Sequence, residues 1–355
     1  MSQPRFPSAG DYVEAIQSPR ACFSLADLRR AEAVSDPLGL PAVHAGNFAY
    51  VFKLHLPGGK VIAARCFARF LSDRQRRYNL MARYLEEQCL PWFVPFAYEP
   101  RGIRVHDAWY PLLRMDWVDG VPLNRHVEKV VDDQEALKRL SMQWRELVAN
   151  LERHRIAHGD LQHGNVLVDT RSGRLRLVDY DAMWVPSFSN GLGAAELGHR
   201  NYQHPARSRS DFGPNLDRFA ALAIYTALRA LVERPDMWER YDSGENLLFA
   251  ARDFQQPSRS PLFAELLDLP TPLPDLARLL SWCCGIDLGR IPALPAFAAN
   301  ATPIASGGAG EWLSDSQLSR GPSTRERFRP RASRRQTLLG RVRGRLFGSR
   351  RELGD

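Results

Sequence analysis

Between Ile156 and Asp181 the chain reads IAHGDLQHGNVLVDTRSGRLRLVDYD, and this stretch leaves little choice of local structure. Val166-Leu167-Val168 and Arg174 to Val178 are β-rich runs, and Asp169-Thr170-Arg171-Ser172-Gly173 between them is turn chemistry. Short polar side chains there hydrogen-bond their own backbone, and glycine accepts a positive φ. The pattern predicts a β-hairpin. In an antiparallel hairpin the start of the first strand lies beside the end of the second, so Asn165 and Asp179 emerge together at the open end. Asp160 sits one short loop earlier. A converging amide carbonyl and carboxylate are hard oxygen ligands, suited to Mg²⁺ held jointly with substrate phosphates. Asp160 is then left to accept a hydroxyl proton. Taken singly, Asp160 and Asn165 read as turn residues and Asp179 as a solvated strand end. Their common spacing favours the chemical reading.

Composition and turn signals divide the chain into four parts. Residues 1–38 form a lead-in with a short helical pattern at Asp11 to Gln17, and residues 39–118 alternate β-like runs with one helix. Residues 119–296 are mainly helical around the one hairpin. Residues 297–355 turn to Ser, Gly, Pro and Arg with little hydrophobic content and are expected to be disordered. In the second part, Tyr50 to Leu56 and Val61 to Phe67 flank Pro57-Gly58-Gly59-Lys60, a further hairpin. Ser72-Asp73-Arg74-Gln75 has the form of a capping box, and Tyr78, Met81 and Leu85 then recur on one helical face.

The net charge of +8 invites a nucleic-acid partner until the charge is located. Arg320 to Asp355 carry 12 Arg against 3 acids, which leaves the remainder of the chain close to neutral. No specific nucleic-acid binding is therefore expected of the folded body. In the tail, Arg331-Ala332-Ser333 and Arg334-Arg335-Gln336-Thr337 look like targets of a basophilic kinase, and Leu338 to Phe347 is a basic amphipathic stretch suited to anionic lipid. A solvated tether with loose affinity for polyanions is the favoured account. Met1 to Arg20 has no apolar run, and the apolar stretch Phe219 to Val232 is too short to span a bilayer. A cytoplasmic protein without a transmembrane segment is expected. The five scattered cysteines lack zinc-site spacing and read as reduced thiols.

The run His158-Gly159-Asp160-Leu161-Gln162-His163-Gly164-Asn165, followed by Val178-Asp179-Tyr180-Asp181, resembles the catalytic loop and metal-binding triplet of protein kinases. Its HGDL…GN wording also resembles the aminoglycoside and choline kinase branch. Further resemblances follow in the same order. Gly46-Asn47-Phe48-Ala49-Tyr50-Val51 is similar to the second half of a glycine-rich phosphate loop, and Ile62-Ala63-Ala64-Arg65 stands in the place of V-A-I-K. Leu113 to Gly120 resembles the hinge, where backbone groups near Asp116 and Val118 would meet adenine. Tyr202-Gln203-His204-Pro205 resembles the end of an activation segment, and Asn215-Leu216-Asp217 the start of the helix whose Asp braces the catalytic loop. The resemblance implies an α+β, two-lobed protein-kinase-like fold, with a small strand-rich lobe over residues 39–118 and a helical lobe over 119–296. It implies ATP and Mg²⁺, with Asp160 as catalytic base, Asn165 and Asp179 as metal ligands, and Gly46, Arg65, Asp116 and Val118 about the nucleotide.

Several positions depart from that pattern. Arg65 replaces the lysine that grips phosphates, no acid follows between Arg74 and Leu85 to pair with it, and Gln162 replaces a lysine near the transferred group. Gly159 replaces the arginine of the catalytic loop, Ala49 the last glycine of the phosphate loop, and Ala206 the acid of A-P-E, while Asp181 takes the third place of D-F-G. The resemblance implies a Ser/Thr protein kinase-like phosphotransferase acting on a protein. The departures leave a nucleotide- or partner-binding pseudokinase scaffold as the alternative, and the HGDL…GN wording a small-molecule kinase.

Overall fold

Phe52 and Leu54 on one side of Pro57-Gly58-Gly59-Lys60, and Ile62 and Ala64 on the other, alternate with less buried neighbours. A chain with that period of two buries one face only by pairing into a sheet. In the computed structural model, which describes residues 6–46, 49–188 and 191–294, this stretch is the centre of a six-stranded antiparallel sheet. Its strands are β1 (Glu32–Ala33), β2 (Val43–Ala45), β3 (Ala49–His55), β4 (Val61–Phe67), β5 (Phe96–Val105) and β6 (Ala108–Asp116). They run in the order β1-β3-β4-β6-β5, with β2 also pairing with β3. Gly58 and Gly59 both hold a positive φ, 90° and 85°, which lets the β3–β4 connection close tightly.

The segment before residue 39 is built into this layer. Helices α1 (Ala9–Ile16) and α2 (Pro19–Cys22) place Tyr12, Ile16 and Cys22 in one buried cluster with Phe52, Leu54, Ile62 and Ile103 of the sheet. Ser8 and Asp11 form a reciprocal capping box at the start of α1. On the opposite face, α3 (Arg74–Gln88) buries Tyr78, Met81 and Leu85 in a second cluster with Phe67, Leu113 and Met115. The capping box expected at Ser72 does not form. Asp73 is the N-cap and makes no side-chain cap, because its carboxylate accepts from the Arg77 guanidinium at 2.8 Å. A charge-assisted partner one turn ahead outcompetes a neutral backbone N–H.

After the sheet the chain is mainly helical. The helices are α4 (Leu123–Val130), α5 (Gln134–Arg153), α6 (Arg218–Glu233), α7 (Met237–Tyr241), α8 (Ala251–Gln255), α9 (Pro261–Leu267) and α10 (Leu273–Cys283). A small antiparallel sheet joins β7 (Gly120–Pro122), just before α4, to β8 (Val166–Asp169) and β9 (Leu175–Leu177), which lie between α5 and α6, in that order. The predicted hairpin is β8–β9. β7 escaped the sequence reading because Gly-Val-Pro carries no strand signal of its own, and only its pairing of Val121 with Val168 makes it one. Helix α6 is buried on nearly all sides, as its apolar run requires, and packs against α5 and α10. Trp144 of α5 is fully buried and donates its indole N–H to the Ala221 carbonyl at 3.0 Å.

The chain is thus a mixed α+β protein with antiparallel sheets. No helix among the described residues is long and apolar enough to cross a membrane. All five cysteines are free thiols. The basic tail, with its lipid and phosphorylation motifs, lies outside the described residues. Replacing Trp144 by Ala empties the α5–α6 contact and removes the indole bond that the Ala221 carbonyl accepts. It is expected to lower stability by about 3–5 kcal/mol, visible as a lower midpoint in urea unfolding followed by far-ultraviolet circular dichroism.

Candidate functional site

The hairpin register fixes the heart of the site. Val166 pairs with Leu177, and one step beyond, the Asn165 carbonyl accepts the Val178 N–H at 3.0 Å. Asn165 and Asp179 therefore leave the hairpin at the same end. Asp179 has a left-handed backbone, φ 65°, a conformation Asp tolerates better than most residues.

Asp160 is brought to the same place by the preceding loop. Its Oδ2 accepts from the Asn165 Nδ2 at 2.9 Å, and Asn165 Nδ2 also donates to the Asp160 carbonyl at 3.0 Å. With its nitrogen so engaged, the Asn165 amide has its carbonyl oxygen left to offer. Oδ1 of Asp160 accepts the His199 N–H at 2.7 Å, and Gln162 reaches Oδ2 at 3.5 Å. Gly198 makes the His199 contact possible: it holds φ 80°, and a Cβ there would lie 2.8 Å from Asp160 Oδ1 and 2.5 Å from Gln203 Nε2.

The loop is pinned from below by Asp217, at the N-terminal end of α6. Its two oxygens accept the consecutive N–H groups of His158 at 2.5 Å and Gly159 at 2.7 Å. Burial lifts the Asp217 carboxyl above its ordinary range, against the opposing pull of His158 and the two donors. Gly159 has φ 77°, and a Cβ on it would come within 2.2 Å of the Ala182 carbonyl oxygen. His158 is a buried core histidine, with Nε2 on the Val178 carbonyl at 3.0 Å.

Arg65, on β4, enters from the sheet side and is buried. Its Nη2 contacts Asp179 Oδ1 and Asp181 Oδ2, both at 2.7 Å, and its Nη1 donates to the Tyr78 hydroxyl at 2.8 Å. The Tyr78 hydroxyl in turn bonds Asp181 Oδ1. Burial opposes the charge on Asp181, but Arg65 and the Tyr78 hydroxyl hold its carboxyl below the ordinary range. Asp179 behaves differently: it keeps 39% of its side-chain surface open, yet protein encloses it on its other sides. That enclosure, with the charges of Asp181 and Asp160, raises its carboxyl despite Arg65. Glu196 completes the acidic surroundings, paired with Arg69 at 2.8 Å and pushed up to about 8 by burial and by Asp181 and Asp179.

Among the described residues no group of three or more His, Cys, Asp or Glu side chains is arranged to hold a metal ion. The pair expected from sequence is one carboxylate and one amide. That set fits Mg²⁺, which keeps several waters and takes one or two protein oxygens alongside phosphates. The Asp179 carboxylate, leaving the hairpin beside Asn165 with 39% of its side-chain surface open, is the geometry that suits a divalent cation there.

The positions expected from sequence about a nucleotide are distributed along the large sheet and just beyond it. Gly46 donates its N–H to the Ala49 carbonyl at 2.9 Å, closing the base of the β2–β3 turn, and Asn47 and Phe48 lie outside the described residues. At the end of β6 the Asp116 N–H goes to the Pro95 carbonyl at 3.2 Å, and its side chain pairs with Lys60 at 2.7 Å. The Val118 carbonyl takes the Gly120 N–H at 2.9 Å. Arg65 is engaged by carboxylates rather than standing alone. Tyr78, Glu196 and His199 were not singled out from the sequence. Tyr78 reads there as one more apolar-face residue of a helix, and Glu196 and His199 belong to no regular element that would fix their direction.

Glu196 gives the site a pH signature. From an ordinary 4.5 its carboxyl rises to about 8, so across that window the native state keeps a proton that the unfolded chain releases. Its contribution to stability therefore falls as pH climbs from about 4.5 to about 8 and changes little above. Glu196→Gln should gain melting temperature relative to the parent as pH rises through this window. Parallel melting curves from pH 5 to 9 would contradict the assignment.

Compared with models of protein families the chain matches none, and it matches no curated protein.

Proposed function

We propose that the chain is an ATP-dependent phosphotransferase of two-lobed, protein-kinase-like build, transferring the γ-phosphate to the hydroxyl of a Ser or Thr in a protein. The observation that carries this reading is the convergence of Asp160, Asn165 and Asp179, with Asn165 bonded to Asp160 and Asp217 gripping the loop beneath. Three oxygen-bearing side chains gathered at one end of a hairpin, at the cost of crowding their charges, are what transfer between a metal-bound triphosphate and a hydroxyl requires.

In this reading Asp160 orients the acceptor hydroxyl and takes its proton as the oxygen bonds to the γ-phosphorus, while the bond from that phosphorus to the β,γ-bridging oxygen breaks and ADP leaves. Asn165 and Asp179 would hold Mg²⁺, which when bound neutralises charge on the phosphate oxygens. Arg65 lies on the phosphate side of the cleft, with Gly46 and the backbone at Asp116 and Val118 toward the rest of the nucleotide. The His199 N–H and the Gln162 amide keep the Asp160 carboxylate oriented.

A second reading, a pseudokinase scaffold, draws on the engagement of Arg65 by both Asp179 and Asp181, which occupies the one guanidinium that stands in the lysine's place. The two are separated by incubating the protein with labelled ATP, Mg²⁺ and generic protein acceptors. Transfer that falls about 10²- to 10⁴-fold in Asp160→Ala supports the enzyme. Thermal stabilisation by MgATP without transfer supports the scaffold, and transfer to aminoglycosides or choline in place of protein would move the chain to the small-molecule branch.

A further inference from the structure

The carboxylate that balances Arg65 does not come from the helix packed behind it. Helix α3 has no acid between Arg74 and Leu85, and the residue it presents to Arg65 is Tyr78. The Tyr78 ring is stacked on Tyr98 with centroids 5.6 Å apart and set edge-on to Phe96 at 5.7 Å, so packing fixes where its hydroxyl sits. Arginine only donates, an ionised carboxylate only accepts, and a phenol has one proton. The sense of the chain follows: Arg65 donates to Tyr78, Tyr78 donates to Asp181, and Asp181 accepts from Arg65 through its other oxygen. This is a closed ring of three hydrogen bonds.

The two carboxylates on Arg65 are not equivalent. The Asp181 side chain is 8% exposed and held by both members of the ring, whereas that of Asp179 is 39% exposed and touches Arg65 through one oxygen. One is fixed, and the other faces open space.

Resting on the phosphotransferase reading, we propose that Asp181 and Tyr78 are positioning residues that hold the Arg65 guanidinium for a nucleotide's phosphates, so that Asp179 can leave Arg65 for a divalent cation. The charge partner of Arg65 is thereby moved from α3 to the residue two beyond Asp179. A neutral hydroxyl on α3 carries the link between that helix and the site.

The test is the dissociation constant of MgATP, by titration calorimetry, for the wild type, Asp181→Asn, Tyr78→Phe and the double variant Asp181→Asn with Tyr78→Glu. Removing one bond to a charged group is expected to weaken binding about tenfold in Asp181→Asn and about three- to tenfold in Tyr78→Phe. The double variant returns a carboxylate from the helix side and should recover most of the lost affinity, which a purely structural role for Asp181 would not allow. Should Asp181→Asn not fold, Tyr78→Phe decides, since it removes one oxygen and leaves the ring packing in place. Wild-type affinity in Asp181→Asn and Tyr78→Phe overturns the assignment alone, as does loss in Asp181→Asn without recovery in the double variant. A wild type that binds no MgATP overturns the phosphotransferase reading and the assignment with it.

Discussion

A carboxylate that accepts two successive backbone amides fixes a chain more firmly than any apolar contact, because it restrains direction as well as distance. Asp217 does this to His158 and Gly159. It stands at the N-cap of α6 yet makes no side-chain bond to that helix, reaching out to the loop instead. Because α6 is buried among its neighbours, the brace is anchored in the packed core. From His158 and Gly159 the restraint passes to Asp160 one residue on, and through His158 Nε2 to Val178 beside Asp179. The acids of the site thus share one foundation.

Much of this was legible in the sequence, and for identifiable reasons. The β8–β9 hairpin announced itself because turn residues and aliphatic runs are local signals, and the closeness of Asn165 and Asp179 follows from antiparallel geometry alone. The role of Asp217 as a brace came through the kinase resemblance, from an Asp opening an apolar helix. What stayed hidden depends on contacts across long separations. Arg65 and Asp181 are joined across 116 positions and Tyr78 and Asp181 across 103, and no local pattern encodes such a pairing. The capping box at Ser72 was misread for a similar reason, since Arg77 competes for Asp73. The lead-in's place on the sheet also depends on which face of β3 and β4 needed covering.

The electrostatics of the site follow from burial and crowding together. Burial, reinforced by the neighbouring carboxylates, raises the carboxyls of Asp179 and Glu196. At Asp181 burial is outweighed by Arg65 and the Tyr78 hydroxyl, which hold its carboxyl below the ordinary range. Asp179 is the more open of the two carboxylates on Arg65, on the side where a cation from solution can reach it.

The N-terminal helices carry a consequence for how the chain can be handled and what it can meet. Tyr12, Ile16, Phe23 and Leu28 lie over Phe52, Leu54 and Ile62, so the back of the large sheet is already occupied from within. A chain trimmed to begin near residue 39 would lay that greasy surface bare and invite self-association. In the intact chain, the same covering leaves partners no route to the back of the sheet except by displacing this built-in lid.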